Sequence, residues 1–191
     1  LFDQTKFHDI DDIPLVTDDY LDSLIEKYHE ATALAVEAGF DGILLVPENE
    51  ALGRMYEKFG FTACTTVEIF SAEAGANAID LREIGADEFA RLRKAFLPQG
   101  AVIQEGAALA FLSSQCHFWT GLDFLAVGQV YDGKLVCMEF LGNRMAAEGL
   151  LRALETAEGT FRSPGEQQSF AWFLPLRTGC ARPEYFGLAL D

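Results

Sequence analysis

The chain has 191 residues, half of them hydrophobic and 16 of them Phe, so it can build a packed core, and wholesale disorder is excluded. Its 30 acidic residues against 14 basic ones give a formal charge of -16, which repels nucleic acid and anionic membrane surfaces. The acids keep an apolar protein soluble, and they leave room for a cationic amine substrate.

Residues 1–16 mix apolar side chains with Asp3, Asp9, Asp11 and Asp12 and end on Ile13, Pro14, Leu15 and Val16, which reads as a loop and a short edge strand. Leu1 opens in mid-pattern, and an earlier stretch of the same protein is expected before it. Thr17 suits a helix N-cap, and Asp18, Asp19 and Asp22 favour the positive end of a helix dipole. Leu21, Leu24, Ile25, Tyr28, Ala31, Thr32, Ala35 and Val36 then recur at helical spacing, until Gly39 stops the helix.

The run from Gly42 to Pro47 is wholly apolar and bounded by Gly and Pro, which predicts a central strand covered on both sides. A helix over 50–59, stopped by Gly60, and a strand over 61–71 follow. The Ala-, Gly- and Asn-rich stretch 72–78 is the candidate linker. Beyond it we expect a strand at 79–83, helices at 87–96 and 106–114, strands at 124–131 and 134–141 joined by an Asp132–Gly133 turn, a helix at 146–158, and strands at 169–176 and 185–190.

The block from Ala35 to Phe61, with Asn49, Leu52, Tyr56, Gly60 and Phe61 at its heart, resembles the acetyl-coenzyme A half of the GNAT superfamily of N-acetyltransferases. The ending PEYFGLALD, with Trp172, Phe173 and Pro175, resembles the tails of two-domain bacterial members related to the enhanced intracellular survival acetyltransferases. The resemblance implies an α/β (α+β) fold, a mixed sheet flanked by helices. Residues 1–75 would be the carboxy-terminal part of one such domain, and residues 76–191 a second, degenerate half.

What the resemblance implies for function is acetyl transfer from acetyl-coenzyme A, as co-substrate, to an amine on a small molecule or peptide. The coenzyme would enter beside the splayed strand at Val46, Asn49 would lie near its pantetheine arm, and Tyr56 would protonate the departing thiolate. Asn49 is equally a cap for the helix at Glu50, and Tyr56 equally a core aromatic. Asp191 could bring a terminal carboxylate to the site.

One departure stands out. Where the family places a glycine-rich diphosphate cradle at a helix start, this chain has Asp18, Asp19, Tyr20, Leu21, Asp22 and Ser23, without Gly or a basic residue. That composition opposes a diphosphate and supports the alternative function, a non-catalytic binding or assembly module that has lost coenzyme A affinity. A second cradle at Gly142 to Arg144 is the weaker candidate.

Cys64, Cys116, Cys137 and Cys180 are widely spaced and read as reduced core thiols; His8, His29 and His117 each stand alone, so no metal site is expected. His117, among Cys116, Phe118 and Trp119, reads either as a core histidine or as a base facing a pocket. Ser113 and Ser114 lack a nucleophile elbow, and neither a P-loop nor a dinucleotide fingerprint occurs. With no signal segment and no spanning apolar run, the expected setting is cytoplasmic, away from nucleic acid and membranes, with a homo-oligomer left open.

Overall fold

A computed structural model describes residues 18–189, and for helix residues 18–22, 24 and 25 the backbone alone. The expected edge strand at 13–16, the Thr17 cap, His8, the side chains of the acidic stretch other than Ser23, and Asp191 lie outside these described residues.

The elements, in chain order, are α1 (Asp18–Glu37), β1 (Gly42–Leu45), α2 (Glu50–Glu57), β2 (Thr62–Glu73), β3 (Arg82–Ile84), α3 (Ala86–Phe96), α4 (Ala107–Ser113), β4 (His117–Thr120), β5 (Phe124–Tyr131), β6 (Lys134–Gly142), α5 (Ala146–Ala153), β7 (Glu158–Pro164) and β8 (Gln168–Pro175). Gly39 and Gly60 end α1 and α2 with φ of 78° and 89°, a region open to Gly without a Cβ penalty. Asp132 and Gly133, both at positive φ, make the tight turn between β5 and β6.

Among the described residues, eight strands join one mixed sheet in the order β1-β8-β2-β7-β6-β5-β4-β3, antiparallel except for the β6–β7 pair. The boundary at residues 75 and 76 falls between β2 and β3, and strands from both sides of it share the sheet.

Five expectations are corrected. Residues 43–46 were placed centrally, but among the described residues β1 ends the sheet, half-buried and paired on one side with β8. An apolar run bounded by Gly and Pro fits a half-covered end strand as well as a central one. The helix at 146–158 stops at Ala153, because β7 begins at Glu158, where Phe161 packs inward between Thr160 and Arg162 at strand spacing. β4 replaces an expected loop. Residues 185–190 form no ladder strand; Tyr185 makes a single bridge to Ala101. The linker also starts later, since Ala72 and Glu73 pair with Gly159 and Glu158.

One face of the sheet is covered by α3, α4 and residues 185–189, over a core that includes Phe89, Leu109, Phe118 and Leu188. The other is covered by α5, over Phe124, Phe140, Leu150 and Phe161. An ion pair lies inside the first layer. Arg93 donates to both carboxylate oxygens of Glu139 at 2.6 and 2.8 Å, Tyr185 donates its hydroxyl to the same carboxylate at 3.1 Å, and the Arg93 and Glu139 side chains are 2% and 1% exposed. Burial, with the Glu139 carboxylate adding to it, pushes the Tyr185 hydroxyl far above its ordinary range.

Candidate functional site

The site is built where α2 meets β8. Asn49, in extended conformation, caps α2 by accepting from the Leu52 amide at 3.0 Å, so the capping role anticipated for it is the one observed. The helix lies close to the sheet because its inward position is Gly53: a Cβ there would sit 2.7 Å from Cζ2 of Trp172. Trp172 faces Leu45 across the β1–β8 register, which sets the indole beside the end of β1.

A cleft of about 910 Å³ opens there, with Val46, Asn49, Arg54, Ser169, Phe170 and Trp172 on its walls. Val46 and Asn49 both line it. Tyr56 is not on that wall. It is half-buried on α2, its ring edge-to-face with Phe61 at 5.6 Å, which matches its reading as a core aromatic.

Two features of the cleft bear on chemistry. Trp172 is 8% exposed, and its indole Nε1–H is buried without a hydrogen-bond partner among the described residues. The cleft's charges are Glu48, Glu50 and Glu57 against Arg54 and Arg162, with Arg54 already 3.5 Å from Glu50. Such walls suit a neutral chain bearing carbonyls better than a diphosphate.

Arg162 closes the inner end. It donates to the carbonyls of Met138, Gly187 and Ala189 and rests over the Phe170 ring at 4.4 Å, tying residues 187–189 to the sheet. Sequence reasoning missed both Arg162 and Trp172 as wall residues. The alternation Thr160, Phe161, Arg162, Ser163 was the available signal for the first.

The other candidates are placed elsewhere. Arg144 donates to Glu68 at 2.6 Å and stacks on Phe70, and a Cβ at Gly142 would lie 2.2 Å from the Asp123 carbonyl, so this corner is a strand exit tied down by its own contacts. His117 is 59% exposed, so it is not a core histidine. Its Nδ1 lies 2.6 Å from Glu83, and it borders a shallow hollow of about 400 Å³ with Ser113, Ser114 and Cys116. His29 is exposed on α1, and the described residues hold no group of three potential metal ligands. All four cysteines are free; Cys116 and Cys137 are buried, and Cys64 and Cys180 half-buried. No described helix is long and apolar enough to cross a membrane.

No family model and no curated protein matches the chain. Solved structures do. It is similar to a GCN5-related N-acetyltransferase from Kribbella flavida, at 16% identity over 78% of this chain and 47% of that one, with a TM-score of 0.51. A GCN5-related N-acetyltransferase from Anabaena variabilis matches at 12% identity, 78% and 50% coverage and a TM-score of 0.54. Eis1 from Mycobacterium abscessus matches at 11% identity, 86% and 54% coverage and a TM-score of 0.54. The chain spans about half the length of these proteins. At such identities the likeness establishes the fold: a mixed sheet with flanking helices of the GCN5-related N-acetyltransferase kind.

Proposed function

We propose that the chain takes part in acyl transfer from a thioester, acetyl-coenzyme A, to an amine, with the thioester arm held in the cleft between α2 and β8. The observation that carries this reading is the orphaned indole N–H of Trp172 on a cleft already walled by Val46 and Asn49. A carbonyl of the arm would accept from Trp172, and Val46 would pack on its apolar portion. In the reaction the amine nitrogen attacks the thioester carbonyl, the C–S bond breaks, the nitrogen loses a proton and the thiolate gains one. Tyr56 is proposed as the acid for that last step, which requires its hydroxyl to reach the cleft from its place beside Phe61.

The division into residues 1–75 and 76–191 as two units of one ancestry rests on the repeated order of elements. The second functional reading, a module that has lost coenzyme affinity, is favoured by the acidic walls of the cleft and by the Gly-free stretch at 18–23.

Release of free thiol from acetyl-coenzyme A, followed with a panel of primary amines, separates the two readings. Amine-dependent release that disappears in Val46→Trp, whose indole fills the cleft, is expected. Release that never rises above the amine-free rate would favour the non-catalytic module.

A further inference from the structure

We draw no further inference here: the strongest candidate, the edge of β1 left unpaired among the described residues together with the exposed Tyr28, Leu34 and Val36 of α1, carries nothing because nothing in the structure shows what covers it.

Discussion

Glu139→Leu removes the carboxylate that serves two buried donors at once, the guanidinium of Arg93 and the hydroxyl of Tyr185. With both ionic side chains at most 2% exposed, water cannot replace the lost partner. Leaving a buried charge unpaired costs about 3–5 kcal/mol, so a melting temperature lower by about 6–20 °C is expected for a chain of this size. The stranded hydroxyl adds to that, and because Tyr185 opens the segment held by Arg162, residues 185–189 should loosen as well. Arg93→Met strands the carboxylate in the same way. The double variant removes both charges, so it should be more stable than the sum of the single losses predicts, with a favourable coupling of about 2–3 kcal/mol. Urea unfolding of the four proteins measures this cycle. A loss under about 1 kcal/mol for Glu139→Leu, or strict additivity, would refute the claim that the pair acts as one buried unit.

Gly53→Ala should destabilise in spite of a helix-propensity gain of about 1 kcal/mol, because overpacking against Trp172 costs about 1–3 kcal/mol and pushes α2 outward; a changed tryptophan emission spectrum with a lowered urea midpoint checks it. Tyr56→Phe should lower kcat by about 10²-fold or more with KM unchanged if the hydroxyl protonates the thiolate, and a loss below about threefold would assign Tyr56 to packing on Phe61. Stability should fall as pH rises above about 9, measured by unfolding from pH 7 to 11. Burial raises Cys137 and Tyr185 well above their ordinary values of 9.0 and 10.0, so above those values the unfolded chain loses protons that the folded chain keeps. A flat profile would contradict the burial of both groups.

The parts of this fold that were legible in the sequence are local. The Asp132–Gly133 turn, the glycine stops at 39 and 60 and the periodicities of α1, α3, β5 and β6 need only neighbouring residues, and each lies close to its expected place. What resisted was long-range. β8 enters between β1 and β2 from more than 100 residues away, so nothing near Val46 announced Trp172 as the opposite wall. β7 had no expected element: the helix formers of Ala146–Glu158 run up to its first residue, although Phe161 and its polar neighbours alternate. Glu139, inside the otherwise apolar run from Leu135 to Leu141, did signal a buried partner, but only the packing of α3 on β6 could identify it as Arg93.

For the site, Asn49 was singled out by the spacing of a known motif and Val46 by its place at the end of the expected strand, and both line the cleft. Tyr56 was legible by the same spacing, yet the direction of its side chain depends on Phe61, which the motif does not report.

The most direct measurement is calorimetric titration of acetyl-coenzyme A and of S-acetylpantetheine against the unaltered chain and Val46→Trp. The account predicts saturable but weak binding, with dissociation constants above about 10 μM and within about threefold of each other, since the cleft holds the arm and does little for the diphosphate; Val46→Trp should weaken both by about tenfold or more. Binding of neither ligand, or binding indifferent to Val46→Trp, would contradict the assignment of the α2 cleft as the thioester site.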